Sequence, residues 1–238
     1  MSNVHITAIV LAAGKGSRMQ SDIPKQYMLI EDKPVLYYSL KAFEESSVDD
    51  IVLVVSEDDV SYCKENIVDK YSINKVKSII VGGSERYWSV KNGLLSAKGA
   101  DYVLIHDAAR PCLTVDVIER SIAEVKIIGA CTVGVPVKDT IKRVDDDCYG
   151  EETPPRNYLW QVQTPQSFLY KDILKAYEYM EESNDTDITD DTMIMERFLG
   201  VKTKLIMGDY CNIKITTPED LLVAKIFLKK VKKVVDTI

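Results

Sequence analysis

Residues 11–27 read LAAGKGSRMQSDIPKQY: an apolar run ends in a glycine-rich turn, and two separated cations, Arg18 and Lys25, follow. Glycine lets backbone approach a ligand closely, and successive N–H groups of such a turn can point at phosphate oxygens. Arg18 offers a planar fork suited to phosphate, and Lys25 a compact charge directly after Pro24. Two common phosphate-loop patterns are missed. Met19 stands where a dinucleotide fingerprint needs its third glycine, and the spacing G-x-x-x-x-G-K-[ST] is absent. A plain strand-to-helix connection with two solvated cations is the alternative these residues leave open.

Working outward, ITAIVLA before the turn is the first of several apolar runs, followed by DIVLVVS near 50, VKSIIV near 76, DYVLIH near 101 and ACTVGVPV near 130. Helical patterns fill the intervals at about 34–46, 58–70, 86–98 and 114–128. Continuous apolar strands alternating with helices predict a doubly wound α/β fold, with a mostly parallel sheet covered on both faces. Ligands of such sheets sit outside the carboxyl ends of the strands. GGSER after the third run and HDAARP after the fourth fall at that edge, as the first turn does.

Residues 137–169 interrupt the alternation. VKDTIKRV alternates as a strand does, DDDCYGEETPPR is a polar turn region, and NYLWQVQTPQSF resumes extended character. This predicts a protruding β-arm whose Tyr158, Leu159 and Trp160 supply surface for a second subunit. Near the end, TTPEDLLVAKIFLKKVKKVV reads as a helix, with Thr217 as cap, Pro218 in the first turn and Glu219 and Asp220 at the positive end of its dipole. Lys229, Lys230, Lys232 and Lys233 gather at the other end, where they complement the dipole.

The 238 residues carry a formal net charge of −7, which argues against partners such as nucleic acid or an anionic membrane. Basic residues that meet an anionic substrate must then be concentrated in one place. Five scattered cysteines (63, 112, 131, 148 and 211) with no C-x-x-C pair predict reduced thiols and a cytoplasmic location. Two histidines, His5 and His106, exclude a multi-histidine metal centre. The first apolar run is too short to span a bilayer and has no basic leader, so neither a membrane span nor a signal peptide is expected.

Taken in order, LAAGKGSRM, PKQY, GGSERYWSV, HDAARP, DTIKR, LWQVQTPQSF, TDD and NIKITTPEDL resemble the 2-C-methyl-D-erythritol 4-phosphate cytidylyltransferase family, over about residues 6–228. The resemblance implies one Rossmann-like nucleotidyltransferase domain over 1–238, a β-arm at about 137–160 that builds a homodimer, and a Mg²⁺ requirement. It implies a reaction too: CTP and a sugar-alcohol phosphate, methylerythritol phosphate, give the cytidine diphosphate alcohol and pyrophosphate.

By the same resemblance, the backbone of Ala12, Ala13, Gly14 and Gly16 holds the CTP phosphates. Arg18 and Lys25 neutralise charge developing around the α-phosphorus. Gly83 and Ser89 line the cytosine pocket, Ala108 touches the nucleotide, Arg110 supports the site and Asp107 binds Mg²⁺. Thr140, Arg156 and Lys214 hold the sugar phosphate, Thr140 and Arg156 from the opposite subunit, and Thr189 lies near the substrate. His106 is read as a structural residue, because a phosphate nucleophile needs no imidazole base.

Three positions depart from the pattern of relatives: Cys211 and Pro155 stand where several carry acids, and Ser84 where some do. A sister family, the ribitol-5-phosphate cytidylyltransferases, shares the motif order but reads HDAVRPF, so Ala109 and Cys112 favour the methylerythritol enzyme. A non-catalytic nucleotide-binding module and a dehydrogenase are the rivals of other classes. The first conflicts with the presence of Arg18, Lys25 and Asp107, the second with the missing glycine.

Overall fold

A computed structural model describes residues 4–14, 19, 21, 23–183, 185 and 187–235, the last five through their backbone alone. In chain order the elements are β1 (Ile6–Leu11), β2 (Leu29–Ile30), β3 (Lys33–Pro34), α1 (Val35–Glu45) and β4 (Asp50–Val55). α2 (Val60–Cys63), β5 (Val76–Val81), α3 (Arg86–Ser96), β6 (Tyr102–Asp107), α4 (Val115–Ile128) and β7 (Ala130–Pro136) follow. After β8 (Arg143–Val144) and β9 (Gly150–Glu152) come β10 (Trp160–Leu169), α5 (Tyr170–Ser183), α6 (Asp191–Leu199), β11 (Lys204–Met207) and α7 (Pro218–Val235).

Among the described residues seven strands form one sheet in the order β11-β7-β10-β6-β1-β4-β5. β10 runs antiparallel to both its neighbours, and the other pairings are parallel, so the expected mostly parallel sheet holds. The chain builds from β1 outward through β4 and β5, then returns to lay β6 on β1's other side. That reversal is a topological switch point, where ligands of open α/β sheets bind. Register sharpens it: Leu11 lies opposite both Val54 and Asp107, so three strands release their loops at one level.

The apolar runs of the strands are buried because both faces are covered. Ala8, Val10, Leu53 and Leu104 pack with Leu36, Leu40 and Phe43 of α1 and Val117, Ile118 and Ile122 of α4. On the opposite face Ile9, Val54, Val103 and Ile105 meet Val90 and Leu94 of α3, Ile173 and Tyr177 of α5 and Ile194 of α6. A third cluster, with Ile30, Val35, Cys112 and Ile215, seats α7 through Ala224. Helix ends are marked locally: Thr114 accepts from the Val117 N–H at 3.4 Å, and Gly129 ends α4 at φ +81°. At α7 the carboxylate of Asp220 reaches back to the N–H groups of Thr216 (2.8 Å) and Thr217 (2.9 Å), the reverse half of the expected cap.

Two expectations need correction. The helix expected over 58–70 changes pitch, from a 3-10 turn at Glu57–Asp59 through α2 to a π-helical stretch at Lys64–Asp69. The strand expected over VKDTIKRV shrinks to Arg143–Val144, paired with Gly150–Glu152 in a small hairpin. Residues 138–153 are all exposed, and alternation forms a strand only where another strand lies alongside to complete its hydrogen bonds.

Candidate active site

Four loops leave the carboxyl ends of β1, β4, β5 and β6 around a cavity of about 780 Å³. The first loop, Ala12–Gly14, is fastened from both sides. The Ala12 N–H donates to the Val54 carbonyl at 2.7 Å. The buried Gln26 amide donates to the carbonyls of Ala12 (2.7 Å) and Gly14 (3.2 Å). Gln26 belongs to a 3-10 turn, Lys25–Tyr27, that Pro24 leads into and that the buried Tyr27, bonded to Cys63 at 3.2 Å, anchors in the core. This turn brings Lys25 into the cavity lining, its Nζ donating to the Ile215 carbonyl at 2.9 Å.

The loop after β5 is close-packed for a reason specific to its glycines. A Cβ on Gly83 would fall inside contact with Trp88, and one on Gly82 would lie 2.6 Å from Ala13 Cβ. Ser89, in the first turns of α3, accepts the Gly83 N–H at 3.0 Å and donates to the Glu85 carbonyl at 3.2 Å. The Ser89 hydroxyl thus shapes the loop that lines the pocket.

At the end of β6, His106 is wholly buried, its Nδ1 at 2.8 Å from the Thr164 hydroxyl and its ring edge-on to Phe43. Burial pushes its pKa down to about 3, so the ring is neutral and structural at physiological pH, as expected. Its neighbour Asp107 faces the cavity. Lys214 Nζ donates to Oδ2 at 2.7 Å and Arg86 Nε to Oδ1 at 3.2 Å. Burial alone would raise the Asp107 pKa. Arg86, Lys214 and Arg110 overcome it and hold the carboxyl well below its usual range.

Behind the cavity, Arg110 donates to the carbonyls of Asn212 (2.8 Å) and Val162 (3.4 Å), and buried Asn212 donates to the Thr164 carbonyl at 2.9 Å. These bonds tie the segment that carries Lys214 to β10. Arg110 thus lies behind the cavity, outside its lining.

Ala12, Ala13, Gly14, Lys25, Gly83, Ser89, Asp107, Ala108 and Lys214 therefore converge on one cavity. Gly16 and Arg18 lie outside the described residues. Thr140 and Arg156 are exposed on the arm, away from this lining, with Arg156 bonded to the Lys138 carbonyl at 2.7 Å. Thr189 is exposed as well, its hydroxyl 3.5 Å from Met193 Sδ. Sequence reading missed Arg86, Gln26 and Asp191. Gln26 and Arg86 sit inside motifs already singled out, PKQY and GGSER, but nothing linear says that Arg86 points at Asp107.

Among the described residues no three His, Cys, Asp or Glu side chains converge as a metal cage. Three carboxylates line the cavity, the exposed Glu57 and Glu85 at its rim and the buried, ionised Asp107, beside glycine-rich backbone, Lys25 and Lys214. That donor set fits a hard cation completing its coordination with water and phosphate oxygen, as Mg²⁺ does. No described helix is long and apolar enough to cross a membrane.

The sequence profile of the family described as 2-C-methyl-D-erythritol 4-phosphate cytidylyltransferase matches residues 6–230. A protein of that name from Lachnoclostridium phytofermentans is 51% identical over 225 residues, covering 94% of this chain and 97% of its own. One from Caldanaerobacter subterraneus is 46% identical over 229 residues, covering 95% and 100%. The crystal structure of 4-diphosphocytidyl-2C-methyl-D-erythritol synthase from Anaerococcus prevotii superposes with a TM-score of 0.82 at 32% identity, over 95% of this chain and 96% of that one.

Proposed function

The chain belongs to the 2-C-methyl-D-erythritol 4-phosphate cytidylyltransferase family and is a CTP-dependent cytidylyltransferase of isoprenoid precursor synthesis, and from that premise we propose how its own residues carry the reaction. The observation that carries the reading is the convergence of two glycine-rich loops, Lys25, Lys214 and Asp107 at the switch point. A cavity of about 780 Å³ suits a nucleotide, and its location is where such a sheet binds one.

In this reading a phosphate oxygen of methylerythritol phosphate attacks the α-phosphorus of CTP. A new P–O bond forms, the bond to the bridging oxygen of the β-phosphate breaks, and pyrophosphate leaves. The attacking phosphate is already largely dianionic near neutral pH, since its second pKa is about 6, so no base is required. What the protein must do is bring a dianion to a polyanion, which makes positioning and charge stabilisation the main work. The backbone of Ala12–Gly14 and Gly16 receives the triphosphate, Gly83 and Ser89 shape the base pocket, and Ala108 borders the nucleotide. Lys25 and Arg18 face charge gathering at the α-phosphorus, and Lys214 orients the attacking phosphate. Asp107 would hold Mg²⁺ together with phosphate oxygens, and the ion would supply charge neutralisation for the triphosphate and the departing pyrophosphate.

The whole chain acts as one nucleotidyltransferase domain, and its arm at 137–160 joins two copies into a homodimer. What supports this is the exposed apolar surface of the arm: Ile141, Val144, Tyr149 and Tyr158. Thr140 and Arg156 lie on that arm, outside the cavity lining of their own chain, and in this reading they complete the partner's site. The five cysteines are free thiols, which supports a reducing, cytoplasmic setting.

The test is pyrophosphate release with Mg²⁺, each of the four nucleoside triphosphates, and methylerythritol phosphate or ribitol 5-phosphate as acceptor. Release is expected only with CTP and methylerythritol phosphate. A preference for ribitol phosphate would overturn the acceptor assignment, and no release while CTP still binds would overturn catalysis.

A further inference from the structure

The first residue of α6, Asp191, is wholly buried although it carries a charge. Its neighbour Asp190 takes the capping role, accepting the Met193 N–H at 2.9 Å. Asp191 instead points inward and is gripped from three elements. Arg86 on α3 donates through Nη1 to Oδ1 at 2.9 Å and through Nη2 to Oδ2 at 2.8 Å. Tyr177 on α5 donates its hydroxyl to Oδ1 at 2.6 Å. The Asp191 N–H goes to the side chain of Gln166 on β10 at 2.9 Å.

A tie between helices would need no more than this. The arrangement does more, because the remaining edge of the same guanidinium ends on the floor of the active site, where Arg86 Nε meets Asp107 Oδ1 at 3.2 Å. Two parallel N–H···O bonds fix the plane of a guanidinium. Once Asp191 holds that plane, the direction of Nε is set as well, and with it one oxygen of Asp107. The other oxygen is held by Lys214 at 2.7 Å. Asp107 is therefore oriented by two cations, one of which is locked by a buried anion.

We propose that Asp191 is a positioning residue for cytidylyl transfer, acting through Arg86 to aim the Asp107 carboxylate into the nucleotide cavity. It transfers no proton and touches no substrate. The inference adds a role within the TDD stretch: Asp190 caps the helix, and Asp191, which faces inward, reaches the site through Arg86. It rests on Asp107 being the working carboxylate of the site.

The test compares Asp191→Asn, Arg86→Lys, Asp190→Ala and Asp107→Asn. Each is measured for kcat, for KM towards CTP, for Mg²⁺-dependent CTP binding by calorimetry, and for Tm. Asp191→Asn keeps the volume but sets an amide N–H₂ against the guanidinium, which breaks the fork. Arg86→Lys keeps the charge without the fork and stands in should Asp191→Asn not fold. Both are expected to lower kcat about 10- to 100-fold, the usual cost of losing a group that orients a metal ligand, and to weaken CTP binding only when Mg²⁺ is present, with KM for CTP rising in step. Asp190→Ala removes the cap of the same helix and the bond from the Gln166 amide (2.9 Å) but leaves the Arg86–Asp191 fork in place, so its Tm should fall while turnover stays much closer to wild type than in Asp191→Asn. Wild-type turnover in Asp191→Asn or Arg86→Lys would overturn the proposal. So would a loss in Asp190→Ala that scales with Tm as theirs does. If Asp107→Asn keeps its turnover, the reading of Asp107 falls and takes the proposal with it. If Asp107→Asn is inactive while Asp191→Asn is intact, the tether alone is wrong.

Discussion

Lys25 is placed by local packing: Pro24 leads into its turn, Tyr27 anchors that turn, and the ammonium reaches the cavity beside the Ile215 carbonyl. In the proposed reaction a compact cation so placed would stabilise charge that grows during attack more than charge already present in bound CTP. Lys25→Ala is therefore expected to lose about 10² to 10³ in turnover with only a modest loss of CTP affinity. Steady-state kinetics beside equilibrium CTP binding checks this, and a variant with near-full turnover would remove Lys25 from the chemistry. His106 carries a different consequence. Buried and neutral, it binds protons far more weakly folded than unfolded, its pKa being lowered from 6.5 to about 3. The unfolded chain then takes up the extra proton, so stability should fall with pH below 6.5, by about 1.4 kcal/mol per unit from this residue, until about 3. Urea unfolding at pH 7 and pH 5 measures it. His106→Asn, which keeps a polar atom near Thr164, should show a flatter profile over that window.

At the scale of elements, α3 shows how closely the fold is packed beneath the site. Gly93 lets this helix approach the sheet, because a Cβ there would lie 2.5 Å from Ile9 Cγ2 and 3.4 Å from Val54 Cγ2. In an open helix, Gly→Ala stabilises by up to roughly 1 kcal/mol. Here the new methyl enters a filled core between β-branched side chains, where overpacking costs about 1–3 kcal/mol. With a contact as short as 2.5 Å the packing term lies toward the upper end of its range and wins, so Gly93→Ala should lower unfolding free energy by up to about 2 kcal/mol in urea titration. The same helix carries Arg86 and Ser89, so a small loss of turnover should accompany the shift. A stabilised variant would show that α3 can lift off the sheet without strain.

At the scale of the molecule, the arm leaves the body with Tyr158 80% and Tyr149 74% exposed, surface that a second copy can cover. If Arg156 serves the partner's site while Lys25 serves its own, Lys25→Ala and Arg156→Ala are complementary lesions. Each alone should be nearly inactive. Dissociated and reassociated as a mixture, half of the dimers are hybrids carrying one intact site, so activity should recover to roughly a quarter of wild type. Failure to recover despite hybrid formation would place Arg156 in its own chain's site or outside the chemistry altogether. In the proposed homodimer, replacing Ile141 and Val144 by Asp should favour monomers in sedimentation analysis and lower turnover, while CTP binding should persist, since the cavity is lined within one chain.

Much of this was legible in the chain itself. Continuous apolar runs alternating with amphipathic ones required a parallel sheet clothed on both faces, because strands so apolar need cover on both sides. The glycine-rich and polar stretches at their carboxyl ends then had to meet at one edge, and Ala12, Gly14, Gly83 and Asp107 do. The ordered motifs also carried the family. Other features depended on side-chain direction and on contacts distant in sequence, which no linear pattern records. VKDTIKRV has a strand's alternation but lacks a neighbour along most of its length, so only Arg143–Val144 pairs. TDD read as one polar stretch, yet its third residue turns inward to a charge 105 positions away. Local propensity and hydrophobic period are properties of neighbours along the chain and were set by the sequence. The aim of a guanidinium between two carboxylates arises where three helices pack on a sheet, from contacts between residues far apart in the chain.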